Sequence, residues 1–263
     1  VTTAKPMDIN NPLSVMENAG DISGGGLSAS ISVVVLLTVI SLAPALLIMC
    51  TSFTRIIIVL SLMRQAIGTQ ALPPSQVLLG LSVFLTLMVM APTFDTINEE
   101  ALKPLQANEI TTTEAWQKTK EPLREFMIRQ LEYAGNEDGV IMLLTYRGVD
   151  TSDPASLTWE DDVDLLTLIP GFVLSELKVA FLMGFRLYLP FLVIDMVVSS
   201  VLISMGMMML PPVMISLPFK LLLFVLVDGW RLVVGNLITG FDVPGVAAFA
   251  VSIGGASGIG GFG

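Results

Sequence analysis

Seven ionisable side chains interrupt the apolar stretch 165–241: Glu176, Lys178, Arg186, Asp195, Lys220, Asp228 and Arg231. An ionised group at the centre of a bilayer costs roughly 2.5–3.5 kcal/mol on insertion scales. Such groups must therefore pair, line a polar cavity or reach water. Three are acids and four are bases, so pairing is feasible. Glu176 and Lys178 are two apart and point to different helix faces, whereas Asp228 and Arg231 are three apart and can pair along one helix. Glu176, Lys178 and Asp195 are expected to find partners on a neighbouring helix or subunit, with Lys220 a candidate. Snorkelling to a water interface is the alternative.

A second feature is Gly206-Met207-Met208-Met209-Leu210-Pro211-Pro212. Proline removes a backbone donor and ends helices, and glycine permits a sharp bend. Met207, Met208 and Met209 are thus expected on a turn framed by Gly206, Pro211 and Pro212. Two readings of the thioethers stand side by side. Methionine fills irregular gaps in a core, and its unbranched, polarisable side chain also suits a deformable seal.

Other chemistry is poorly supplied. The chain has no histidine, hence neither the commonest general base nor the commonest zinc ligand. One cysteine, Cys50, excludes an intrachain disulfide and a thiolate metal cluster. There is no phosphate-binding loop of the Walker type. Asp161 and Asp162 are adjacent in an acidic loop and read as solvated. No basic stripe suggests nucleic acid. The expectation is a protein without catalytic residues, cofactor or metal.

The elements that carry these residues belong to a membrane-class chain. Of its 263 residues 14 % are charged, against roughly 25 % in soluble domains. Residues 22–54 and 65–94 contain no charge. Pro44 should kink the first of these runs. The stretch from Gly68 to Pro73-Pro74 forms a turn, so 31–94 reads as a helical hairpin with arms long enough to cross a hydrocarbon core. Arg55 and Arg64 lie in the connection between the arms, which the positive-inside rule puts on the cytoplasmic side. The net charge of −10 is concentrated in 95–164, with 16 acidic and 6 basic residues. That segment is expected to be a water-facing, periplasmic domain. Within it Leu123, Met127, Ile128 and Leu131 repeat at helical spacing, and Pro122 is expected near a first helical turn. Trp116 and Trp159 flank it and suit packing or an interfacial site.

The fold expected is all-α and membrane-class: kinked helical hairpins in two hydrophobic halves with an inserted acidic, mostly helical periplasmic domain. Its parts are a flexible lead-in at 1–30 without the pattern of a secretory signal, the first hydrophobic hairpin at 31–94, the acidic domain at 95–164, the second hydrophobic half with its Met-rich turn at 165–241, and a flexible Gly-rich tail at 242–263.

Several blocks together resemble one family. They are Thr51-Ser52-Phe53-Thr54-Arg55-Ile56-Ile57-Ile58-Val59-Leu60, Gln76-Val77-Leu78-Leu79-Gly80-Leu81, Pro122-Leu123-Arg124-Glu125-Phe126-Met127, Ser175-Glu176-Leu177-Lys178, the Met-rich turn, and Leu217-Pro218-Phe219-Lys220-Leu221 with Val227-Asp228-Gly229-Trp230. Over about residues 31–241 they are similar to the FliP family, the P component of the flagellar type III protein-export gate, with SctR-like relatives in injectisomes. The resemblance implies five copies of the P subunit wound with Q and R components into a right-handed helical assembly. It also implies docking of an FlhB-type switch protein, passage of unfolded flagellar subunits, and a place in the bacterial inner membrane, facing the periplasm, at the flagellar basal body. A subunit contact at Phe126 belongs to the same implication. The Gly-rich tail departs from the family pattern.

With what the resemblance implies, these residues lead to the expectation of a pore-forming export subunit sealed by Met207, Met208 and Met209, with Glu176 and Lys220 holding helices or subunits together. A small-solute transporter or ion-channel subunit is the alternative, since Pro211-Pro212 supplies a broken helix. A structural membrane scaffold is a third reading.

Overall fold

The computed structural model describes residues 33–34, 37–38, 41–42, 44–45, 48–69, 72–151, 158–159, 163–207 and 209–242. The lead-in 1–30, the tail beyond Asp242, the kink expected around Pro44, the pair Asp161-Asp162 and Met208 lie wholly or in part outside them.

The described chain is all-α. Helix α1 (Phe53–Ile67) ends at Gly68, whose φ of 87° is the left-handed conformation that glycine adopts without strain. After the turn containing Pro73 and Pro74, α2 (Ser75–Ile97) runs back against α1. Both arginines lie in α1, not in the turn; Arg64 Nη1 reaches across it to donate to Ser75 Oγ at 2.9 Å. A π-helical turn (Asn98–Leu102) and the short α3 (Lys103–Gln106) prolong α2 into the acidic segment.

Helix α4 (Thr112–Ala134) starts with a capping box, Thr111 Oγ1 accepting from the Glu114 backbone N–H and the Glu114 carboxylate accepting from the Thr111 backbone N–H. Pro122 therefore stands inside α4 and not in its first turn. Helix α5 (Asp138–Tyr146) follows, and then α6 (Leu165–Ser204), a 40-residue helix containing Pro170 and Pro190. At 1.5 Å per residue α6 is roughly 60 Å long. Asp164 caps it by accepting from the Thr167 backbone N–H at 3.0 Å. Helix α7 (Pro212–Leu226) returns beside α6, and α8 (Gly229–Thr239) leaves it at a bend of 64°. By length and composition α2 with its extension and α6 can cross a membrane, and α7 with α8 forms a broken third candidate.

The acidic segment does not stand apart from the hydrophobic halves. The apolar stripe of α4 packs on the first half of α6, with Phe126 edge-on to Phe172 at a centroid distance of 6.1 Å. Helix α5 crosses α6 at Gly171, where an added Cβ would lie 2.6 Å from Val140 Cγ2. Asn136, between α4 and α5, donates to Ser175 Oγ and accepts from Lys178 Nζ. Trp159 packs against the same core.

Helices α1 and α6 run side by side in the same direction, because Arg55 meets Glu176 and Leu62 meets Gly184. The molecule thus has two ends. One carries α4, α5 and the starts of α1 and α6. At the other, the α1–α2 turn and the start of α7 share a cleft of about 570 Å³ lined in part by Arg64, Gly68, Ser75 and Val213.

Candidate functional site

Two polar clusters and one apolar turn make up the site. The first cluster lies where α1, α6 and the end of α8 meet. Arg55 forms a two-pronged ion pair with Glu176, its Nε donating to Oε2 at 2.7 Å and its Nη2 to Oε1. The side chains are 1 % and 0 % exposed. The third arm of the guanidinium donates to the Gly240 carbonyl, and Arg55 Cζ lies over the Phe241 ring, 4.0 Å from its centroid. Planar geometry, five donors and a weakly hydrated surface suit arginine to this position. Gln130 of α4 completes the clamp: its amide nitrogen donates to the Asp242 carbonyl at 2.9 Å, and its amide oxygen accepts from the Asp242 backbone N–H at 3.1 Å. The segment 240–242 is thereby held to α1 and α4 by its own backbone groups.

The second cluster lies where α1 ends between α6 and α7. Lys220 Nζ donates to Asp195 Oδ2 at 2.6 Å and, more weakly, to the Ala66 carbonyl at 3.4 Å. Ser216 Oγ donates to Asp195 Oδ1 at 2.5 Å. The lysine is 2 % exposed.

Asp195 takes Lys220, the candidate partner expected from the sequence, whereas Glu176 finds a different partner on a neighbouring helix. Glu176 and Lys220 both bridge helices, but not to each other: Glu176 takes Arg55, and Lys220 takes Asp195. Lys178 is exposed and bonds to Asn136. Asp228 and Arg231 are exposed and form no ion pair with each other, because the helix breaks there and Asp228 takes φ 51°, outside the helical spacing that would align them. Arg186 is exposed as well. Phe126, expected at a subunit contact, is 1 % exposed and spends its surface on Phe172 inside its own chain.

Sequence reasoning assigned Arg55 to membrane orientation and passed over Gln130. Arg55 carried one signal, a charge standing in an apolar run and left out of the balance of the second half. Gln130 carried none, since its partner is a backbone 112 positions away.

The apolar turn joins α6 to α7 through residues 205–211. Gly206 turns the chain at φ 74°, and the Gly206 and Met207 backbone N–H groups donate back to Ile203 and Leu202 carbonyls. Pro212 opens α7 at its first position, where a missing N–H is harmless. Met207 is 44 % exposed and Met209 is 100 % exposed. Neither fills a core in the chain, so the gap-filling alternative does not hold for these two. Large apolar side chains are exposed along both helices leading to the turn, among them Val197, Val201, Met214 and Phe219. Between the helices lies an almost wholly apolar groove of about 490 Å³ lined by residues that include Val193, Ile194, Ile215 and Phe219.

Comparison with known proteins agrees along most of the chain. The model of the FliP family matches residues 36–237. A flagellar biosynthetic protein FliP of Bacillus subtilis is 53 % identical over 214 residues, covering 81 % of this chain and 93 % of that protein. Those of Pectobacterium carotovorum and Aquifex aeolicus are 48 % and 44 % identical, covering 84 % of this chain and 83 % and 90 % of theirs. With helices apolar enough to span a bilayer, buried inter-helix ion pairs, and this similarity over four-fifths of its length, the chain belongs to the FliP family.

Proposed function

We propose that this chain is a pore-forming core subunit of the flagellar type III protein-export gate, passing unfolded flagellar subunits and sealing the conduit with Met207, Met208 and Met209. The single observation that carries the reading is the exposure of Met207 and Met209 on a turn between two helices that are themselves apolar outward. Further copies of the chain and the Q and R components would cover the helix faces, leaving the turns to meet around an axis, and an FlhB-type protein would dock on that assembly. A narrow apolar ring excludes ions by dewetting, and unbranched thioethers move aside for a passing chain and close behind it.

In this reading the acidic helices face the periplasm of the inner membrane, as the family resemblance implies, and Arg64 stands at the opposite end of the molecule. The test is proximity. With Cys50→Ser and Met209→Cys, oxidation of the assembled complex should join neighbouring copies through position 209. Efficient assembly without such cross-links would contradict the ring.

A second reading is favoured by the break between α7 and α8. A bend of 64° with exposed Asp228 at the break is the arrangement by which transporters bind ions at mid-membrane. The native mass of the purified complex separates the readings: a hetero-oligomer with an odd number of these chains supports the export gate, and a monomer or symmetric dimer supports a carrier.

A further inference from the structure

Helix α1 ends against an ammonium supplied by another helix. The last carbonyls of a helix lack intrahelical partners and carry the negative end of its dipole, which favours a cation there. Here the Ala66 carbonyl, one residue before the end of α1, faces Lys220 Nζ from α7. Gly68 follows at once, its left-handed φ of 87° turning the chain away while a Cβ there would only touch Nζ at 3.8 Å and Leu217 Cδ1 at 3.7 Å. The same ammonium is bonded to Asp195 of α6, whose other carboxylate oxygen accepts from Ser216 of α7. Three helices thus meet at one lysine.

The position of this junction matters because of what lies beyond it. Asp195 stands ten residues before Met205, and Lys220 nine after Pro211, which at 1.5 Å per residue puts the junction about 15 Å from the turn. Between junction and turn, the hydroxyls of Ser200 and Ser204 bond only to carbonyls within α6. Among the described residues, Asp195 with Ser216 and Lys220 makes the polar side-chain links between α6 and α7. Apart from serines, α6 and α7 are apolar between the junction and the turn, and apolar contacts are non-directional.

We infer that Lys220, Asp195 and Ser216 are positioning residues for the methionine turn: the Lys220 ammonium, capping α1, sets how far the α6–α7 hairpin stands from the first hairpin. The inference rests on the proposed seal for its functional meaning, but not for its geometry. A buried ammonium held by a carboxylate and a helix-end carbonyl adds a directional constraint that apolar contact between α6 and α7 does not supply.

The experiment is a distance measurement with a leak assay beside it. Spin labels are placed at Thr69→Cys and Met209→Cys in a Cys50→Ser background, in the full chain in lipid nanodiscs. The paired change Asp195→Asn with Lys220→Met leaves no orphaned charge. It should broaden and shift the distance distribution between the labels, and Ser216→Ala should do so to a smaller degree. In the assembled complex without labels, the paired change should raise monovalent ion leak severalfold. An unchanged, narrow distribution in the paired variant overturns the inference, whether or not that variant assembles. If the distribution broadens but replacing the three methionines causes no leak, the positioning role stands and the seal falls. If the methionine variant leaks and the distribution stays narrow, the seal stands and the positioning role falls.

Discussion

Arg55 and Glu176, 121 positions apart in sequence, meet in a two-pronged ion pair that joins α1 to α6 and is shut off from solvent. The pair decides how the two hydrophobic halves stand against one another, and it draws residues 240–242 back to the end of the molecule that carries the acidic helices. Removing one partner strands a buried charge, which costs about 3–5 kcal/mol, while an apolar replacement of both partners recovers much of that loss. Arg55→Met or Glu176→Met alone should sharply lower the yield of assembled complex, and the double change should restore part of it. A double-mutant cycle on complex yield or thermal stability checks this. Additive losses would argue against a direct pair.

The contact between Leu62 and Gly184 leaves no room for a side chain at position 184. A Cβ on residue 184 would lie 3.0 Å from Leu62 Cβ and 3.2 Å from its Cγ. Gly184→Ala should therefore force α1 and α6 apart, at a cost of about 1–3 kcal/mol as in other overpacked sites. Adding Leu62→Ala should relieve part of it, since the clashes with Cγ and Cδ1 go and that with Cβ stays. Thermal unfolding in detergent measures both.

Acid should loosen the acidic helices before the apolar ones. The Thr111 backbone hydrogen bond holds the Glu114 carboxyl below its usual value of 4.5, with help from the Thr111 hydroxyl. At Asp164 partial burial acts upward, but hydrogen bonds from Thr167 and Arg147 outweigh it and hold the group below 3.8. Each folded value lies below its unfolded one, so each contribution is full above the unfolded value and fades as pH falls through the folded one. Amide exchange at the first turns of α4 and α6 should accelerate in that order as pH drops below 4.5 and then below 3.8. Glu114→Gln should flatten the response at α4 alone. A pH-independent exchange rate at both turns, after correction for intrinsic chemistry, would contradict it.

The α6 cap gives a further check. Losing an acidic cap typically costs about 1 kcal/mol, and Asp164→Ala also releases Arg147 from its ion pair. Protection should fall in the first turn of α6 and stay level around Asp195. Loss of protection along the whole helix would mean that its stability is not local.

What the sequence made legible was local or periodic. The charge-free run 65–94, the Pro73-Pro74 turn, the turn between Gly206 and Pro212, and the apolar stripe of α4 all follow from spacings within a few residues, and the described residues carry each of them. The capping box at Thr111 and Glu114 was equally open to reading and would have set the start of α4. The pairings were a different matter. Nothing in the spacing of Glu176 tells that its partner is Arg55 and not Lys220; that choice is made by α1 lying parallel to α6, a long-range fact. Asp228 and Arg231 show the converse, a helical spacing emptied of meaning because the helix breaks between α7 and α8.

The central claim is that the methionine turns close a conduit. Its most direct test is the ionic conductance of the assembled complex in a planar bilayer with Met207→Ala, Met208→Ala and Met209→Ala introduced together. The account predicts normal assembly and a clear rise in monovalent ion current, because small side chains no longer exclude water from the constriction. A normally assembled complex whose current equals that of the parent would contradict it.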